Sequence, residues 1–138
     1  MYEQLKLSNQ LCFPLYALSK EITRRYTPFL QALDLTYPQY LVMLVLWEHG
    51  EQSVGGLGEK LYLDSGTLTP LLKRLQAKGL VERTRSVEDE RSVIIRLTNS
   101  GRALEHQAVE IPGKMGACLN LSADETALLC KIAAQSPQ

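Results

Sequence analysis

Histidine occurs only twice in this chain and cysteine only three times, and that scarcity removes several chemistries at once. His49 and His106 do not fall at a metal-ligand spacing with any cysteine. Cys12, Cys118 and Cys130 form no CxxC pair, and an odd number of cysteines argues against a structural disulfide framework. Gly55, Gly56 and Gly58 do not make the GxGxxG turn of a dinucleotide site, and no paired-carboxylate motif is present. No metal or cofactor is expected. The longest apolar run, residues 40–47, is far shorter than the roughly 20 residues a bilayer requires, so no membrane partner is expected. Residues 1–9 are polar and carry no leader pattern, which places the expected site of action in the cytoplasm.

What is present reads as one globular domain over residues 1–138. With 45% hydrophobic and 22% charged residues, composition is ordinary for a folded chain. A chain of this size buries about two-thirds of its unfolded surface. Net charge is zero but unevenly spread: Lys73, Arg74, Lys78, Arg83 and Arg85 face the single acid Glu82 between positions 65 and 85, while the chain after Glu105 leans acidic.

Periodicity and caps predict a mainly helical chain. Leu15, Leu18, Ile22, Tyr26, Phe29 and Leu30 recur at three- and four-residue steps, predicting a helix over 11–33 that starts or bends at Pro14 and bends again at Pro28. Thr36 and Gln39 form a capping box for a second helix that stops at Gly50. Ser53 caps a short third helix through Leu61. A fourth ends at Lys78-Gly79 and begins at Ser65 or, as local rules favour, at Thr69-Pro70. Segments 80–85 and 92–97 read as a β-hairpin around the charged turn 86–91. Thr98 caps a helix that Pro112-Gly113 ends, and Ser122 with Glu125 caps the last.

Helix, short helix, helix, hairpin, with the positive charge on the last two, is the layout of a winged helix-turn-helix. Leu68, Leu71, Leu72 and Leu75 share one arc of the fourth helix and leave Gly66, Thr69, Pro70 and Lys73 on the other. Short side chains there, with Ser65 and Thr67 beside them, let the backbone approach a major groove, hydroxyls meet base edges or phosphates, and Lys73 or Arg74 neutralises phosphate. The hairpin adds Arg83, Arg85, Arg91 and Arg96, with Asp89 placed to hold Arg91, so the tip can reach a minor groove.

Four stretches carry a resemblance: Asn9-Gln10-Leu11-Cys12-Phe13; Leu35-Thr36-Tyr37-Pro38-Gln39-Tyr40 with Leu46-Trp47-Glu48; Tyr62-Leu63-Asp64-Ser65-Gly66-Thr67-Leu68-Thr69-Pro70-Leu71-Leu72-Lys73-Arg74; and Glu88-Asp89-Glu90-Arg91-Ser92. In these the chain resembles the MarR family of bacterial regulators, and within it the organic-hydroperoxide-sensing repressors called OhrR, of two-cysteine type. The resemblance implies a recognition helix starting at Ser65 with Pro70 inside it. It implies a homodimer joined by terminal helices, about 8–33 and 98–136, with a DNA-binding lobe at about 53–98. Double-stranded pseudo-palindromic operator DNA is the implied partner and organic hydroperoxide the implied inducer.

A sensing thiol must be partly ionised, because the thiolate attacks the peroxide oxygen. Tyr16 lies one helical turn from Cys12, so its hydroxyl is expected near the sulfur, and free amides at a helix start by Pro14 would favour the anion. Tyr26 lies about 20 Å further along the same helix, beyond reach of its own chain's Cys12. The resemblance implies that Tyr26 and Tyr37 of a partner chain stabilise the thiolate, and that Cys118 resolves the sulfenic acid as an intersubunit disulfide. Cys118 follows the Pro112-Gly113 break in a segment of small residues, read as mobile. Cys130, between Leu128 and Ile132, reads as a packed core residue. Two alternatives are a repressor released by a reversibly bound small ligand and a thiol peroxidase; the second lacks a histidine or cationic partner for its cysteine.

Overall fold

A computed structural model describes residues 1–135 of the chain. The expected segment 98–136 reaches one residue past that range, and residues 137 and 138 also lie outside it. After two single 3-10 turns, Glu3–Leu5 and Leu7–Asn9, comes α1, Phe13–Gln31. It is two residues shorter at each end than the predicted 11–33. Pro14 falls in its first turn, where a missing amide costs nothing, and Pro28 is accommodated inside the helix. The chain leaves α1 through Asp34, a non-glycine residue in the left-handed region (φ 54°).

Helix α2, Tyr37–His49, starts at the predicted capping box: Gln39 N donates to Thr36 Oγ1 at 3.3 Å and Thr36 N to Gln39 Oε1 at 3.0 Å. Gly50, at φ 77°, ends it. This helix is the centre of the fold, burying Tyr40, Val42, Met43, Val45 and Leu46. Ser53 caps α3, Val54–Leu61, by accepting from Gly56 N at 2.9 Å. Helix α4 runs Ser65–Ala77, so the longer start holds and Pro70 lies inside the helix. Local rules favoured Thr69 because they weigh a proline at N1 and miss Asp64, whose carboxylate caps the true first turn. Leu57, Leu68, Leu72 and Leu75, all fully buried, join α3 and α4 to the core, each contributing about 2 kcal/mol.

The hairpin forms as predicted, β2 Val81–Arg85 against β3 Val93–Leu97, with Arg83 opposite Ile95. A third strand, β1 (Gln52–Ser53), pairs with β3 and gives the order β1-β3-β2. Two residues are too few to leave an alternating pattern, so the sequence does not announce it. Helix α5, Asn99–Ala108, is capped by Thr98, which accepts from Gly101 N at 3.0 Å.

Pro112-Gly113 does not simply end a helix. It opens another, α6 (Ile111–Cys118), with Pro112 in the first turn, and Cys118 is the last residue of that helix rather than part of an irregular stretch. The final helix, α7 (Ala123–Gln135), starts at the predicted Ser122/Glu125 box. None of its described residues is buried within the chain, so Cys130 is exposed rather than packed in a core. No described helix is long and apolar enough to cross a membrane.

At Gly101 the α5 backbone lies against the link between α4 and β2. A Cβ there would sit 2.2 Å from the Leu80 carbonyl oxygen and 3.1 Å from Leu97 Cδ2. Gly101→Ala is therefore expected to destabilise the fold by about 3 kcal/mol in chemical denaturation. Gly55→Ala, whose Cβ would meet nothing nearer than Ser53 Oγ at 3.9 Å, should stabilise it by about 0.5 kcal/mol.

Candidate DNA interface and thiol site

The exposed face of α4 is built by its cap and its leucine stripe. Asp64 Oδ1 accepts from Thr67 N at 2.7 Å, and that bond holds the Asp64 carboxyl below its ordinary range. With Leu68, Leu71, Leu72 and Leu75 turned into the core, Ser65, Gly66, Thr67, Pro70, Lys73 and Arg74 are all exposed. Thr69 is half-buried and its hydroxyl donates to Ser65 O at 2.8 Å, so it braces the first turn. Pro70 removes the amide that would otherwise bond the Gly66 carbonyl, leaving that acceptor near the outer face.

The wing is stiffened by its own side chains. Asp89 Oδ1 accepts from the Arg91 backbone amide at 3.0 Å, so it fixes the turn at Arg91 and leaves the guanidinium free to project. Arg85 Nη1 donates to Glu90 O at 2.8 Å, which makes Arg85 a brace of the wing tip. Arg96 is drawn to Glu51 at 3.3 Å. Between wing and helix lies a cleft of about 400 Å³ lined by Ser53, Ser65, Thr69, Arg83, Arg91 and Ser92. The buried Arg83 Nε has no partner among the described residues. A basic cleft with hydroxyls and an unspent guanidinium donor suits a backbone phosphate. Ser53 reads in sequence only as a cap, and nothing in the linear pattern brings it beside Arg83.

At the other end of the molecule Cys12 is the N-cap residue of α1 and is exposed. Among the described residues no hydrogen bond joins its sulfur to Tyr16, Tyr26 or Tyr37. Tyr16 is exposed, with Lys20 Nζ 5.4 Å from its ring centre. Tyr26 and Tyr37 come together, ring centres 4.6 Å apart, where the middle of α1 crosses the start of α2. A third ring, the fully buried Tyr40, lies 5.7 Å from Tyr26 and 6.3 Å from Tyr37. The sequence reading missed Tyr40; its spacing of three from Tyr37 was the available signal. Burial raises all three phenols above their ordinary values, so they remain protonated donors at neutral pH.

Cys118 is exposed, and its carbonyl accepts from Arg25 Nη1 at 2.7 Å. Arg25 also holds Glu21 Oε1 at 3.0 Å, and the hydrogen bonds from Arg24 first and Arg25 second depress the Glu21 carboxyl to about 2. These bonds tie the end of α6 to α1. Around this end the apolar side chains lack cover within the chain: Leu11 is 88% exposed, Leu15 56% and Leu128 57%.

A recognition helix with an exposed small-residue face, an adjoining short helix and a three-stranded wing carrying four arginines define a winged helix-turn-helix transcriptional regulator. The model of the SarA/Rot transcriptional regulator family matches residues 24–107. The organic hydroperoxide resistance transcriptional regulator of Bacillus subtilis (strain 168) is 58% identical over 112 residues, 81% of this chain and 76% of its own. AbfR, known from Staphylococcus epidermidis, has been solved reduced and bound to DNA; that form is 40% identical, with TM-score 0.79, over 96% of this chain and 93% of AbfR. Its disulfide form matches at TM-score 0.69 and 38% identity, over 96% of each chain. The chain belongs to the MarR family of transcriptional regulators, in the organic-hydroperoxide (OhrR) branch.

The Asp64 cap makes a pH prediction. Its folded-state carboxyl lies below the unfolded value, so its contribution is present above the unfolded value and is lost as pH falls through the folded one. Asp64→Ala is expected to lower the melting temperature at pH 7 by a few degrees and to weaken operator binding, with the stability difference from the parent shrinking as the pH is taken below about 4. Asp64→Asn should keep the cap and remove that pH dependence.

Proposed function

We propose that this chain is a dimeric redox-sensing repressor of the cytoplasm that binds pseudo-palindromic operator DNA and is released when organic hydroperoxide oxidises Cys12. The observation that carries the reading is the separation of the site's parts. An exposed Cys12 sits at the start of α1, while Tyr26, with Tyr37 and Tyr40 packed against it, lies about four turns further along. A second copy laid antiparallel along the uncovered apolar faces of α1 and α7 brings the partner's cysteine to this chain's tyrosines. Helices over 8–33 and 98–136 make that dimer, and the lobe over 53–98 meets DNA. Two recognition helices then lie about 34 Å apart on successive major grooves.

In this reading Ser65, Gly66, Thr67, Thr69 and Pro70 approach the base edges, Lys73 and Arg74 neutralise phosphate, and Arg91 enters the minor groove from a tip held by Asp89 and Arg85. Tyr26 and Tyr37 donate to the partner's thiolate and Tyr16 shields it. The thiolate attacks one peroxide oxygen, the O–O bond breaks, an alcohol leaves, and sulfur becomes sulfenic acid. Attack by the Cys118 thiolate then forms the S–S bond and expels hydroxide, which leaves as water. A sulfur drawn towards Cys118 loses its tyrosine donors, and the population moves to a spacing of recognition helices that no longer fits DNA.

The test pairs non-reducing electrophoresis with operator binding, before and after one equivalent of organic hydroperoxide. The parent is expected to form a crosslinked dimer and to lose affinity. Cys12→Ser should do neither, and Cys118→Ser should lose the crosslink. Unchanged binding of the oxidised parent would sink redox sensing and leave a repressor released by a reversibly bound ligand.

A further inference from the structure

Gln39 is the one buried polar side chain of the described core, at 2% exposure, and the capping box accounts for only part of its bonding. Its Oε1 accepts from Thr36 N at 3.0 Å and from Lys78 Nζ at 3.0 Å, using both lone pairs. The same Lys78 ammonium donates to the Asp34 carbonyl and lies 3.9 Å from the Asp34 carboxylate. Gln39 belongs to the same turn of α2 as Tyr37 and Tyr40. Lys78 is the C-cap residue of α4. One ammonium therefore ties the turn that carries the tyrosines, and the strained exit of α1 at Asp34, to the end of the recognition helix.

A lysine at a helix C-terminus is favourable without any such partner, through the helix dipole. That ordinary role does not require its nitrogen to reach 39 positions back to a buried amide oxygen. Nor does capping α2 require Gln39 to offer its second lone pair to α4. We infer that Lys78 and Gln39 are positioning residues that transmit displacement of Tyr37 to the recognition helix. The inference rests on the redox reading above. When the partner's sulfur leaves Tyr37, the first turn of α2 relaxes, Gln39 moves with it, and Lys78 carries the movement into the last turn of α4. Just beyond, Gly79 (φ 77°) turns the chain into β2, so helix and wing shift together.

The experiment uses the full chain as parent, Lys78→Met, and Gln39→Glu, which keeps an acceptor for both Thr36 N and Lys78 Nζ. Three quantities are read: the rate of Cys12 oxidation by cumene hydroperoxide, operator affinity when reduced, and operator affinity when oxidised. Lys78→Met is expected to oxidise at the parental rate and to bind within about threefold of the parent when reduced. Its loss of affinity on oxidation should be about tenfold smaller than the parent's, a coupling of ordinary size for linked sites. Gln39→Glu should retain the parental loss. An unchanged loss in Lys78→Met, or equal weakening of both its redox states, would overturn the inference and leave Lys78 a structural tie.

A second arm needs no oxidation. In the Tyr37→Ala background, amide exchange at residues 78–80 should quicken when Lys78 is present and respond no further when it is Met. If the oxidised parent keeps its DNA affinity, the redox reading fails, and this arm alone decides whether the joint exists.

Discussion

The Leu80 carbonyl is where the DNA-binding lobe is held to the rest of the molecule. It accepts from Thr98 N at 3.1 Å, while the Thr98 hydroxyl donates to Gly79 O at 2.6 Å and caps α5. Gly101 allows the α5 backbone to lie directly on that carbonyl, and its own carbonyl accepts from the Trp47 indole of α2 at 2.9 Å. Helices α2, α4 and α5 and the start of the wing therefore share one set of short polar contacts at the edge of the core. Because each group satisfies another, no part of the lobe can turn without disturbing the others.

That rigidity suits a regulator better than looseness would. A sub-ångström change at a distant thiol becomes a change in helix spacing only if the material between behaves as a few bodies with defined joints. In the proposed reading α4 and the wing shift as one such body. Arg25 fastens the end of α6, with Cys118, to α1 and so forms part of another. Electrostatics follows the same division: the chain as a whole is neutral, yet Lys73, Arg74 and Lys78 at α4 stand with no acid between positions 65 and 81. That helix therefore presents a locally positive surface to phosphate.

The outer helices obey a different constraint. Helix α7 buries none of its described residues within the chain, and Leu11, Leu15 and Leu128 stand open to solvent. A monomer that leaves so much apolar area uncovered has its core incomplete, and in the proposed reading a second copy supplies what one chain lacks. In the proposed reading Cys12 meets the partner's tyrosine cluster at that interface, so closing it and assembling the sensor are one event.

The features legible in the linear chain were local ones. Capping boxes at Thr36/Gln39 and Ser122/Glu125, the stops at Gly50 and Gly79, the leucine stripe of α4 and the hairpin strands each depend on residues within a few positions of one another, so the order of elements and the exposed face of α4 follow from sequence. The resemblance, rather than any local rule, put the start of α4 at Ser65. Tertiary structure alone decided the rest. It paired the two residues of β1 with β3, turned Pro112 from an expected stop into a helix start, and left Cys130 exposed because none of the described residues of its helix is buried within the chain. It also brought Tyr40 beneath Tyr26 and Tyr37, Ser53 beside Arg83, and Lys78 onto Gln39. Apart from the three-residue step from Tyr37 to Tyr40, these contacts join positions that share no periodicity, and only the packing of one element across another sets the distance between them.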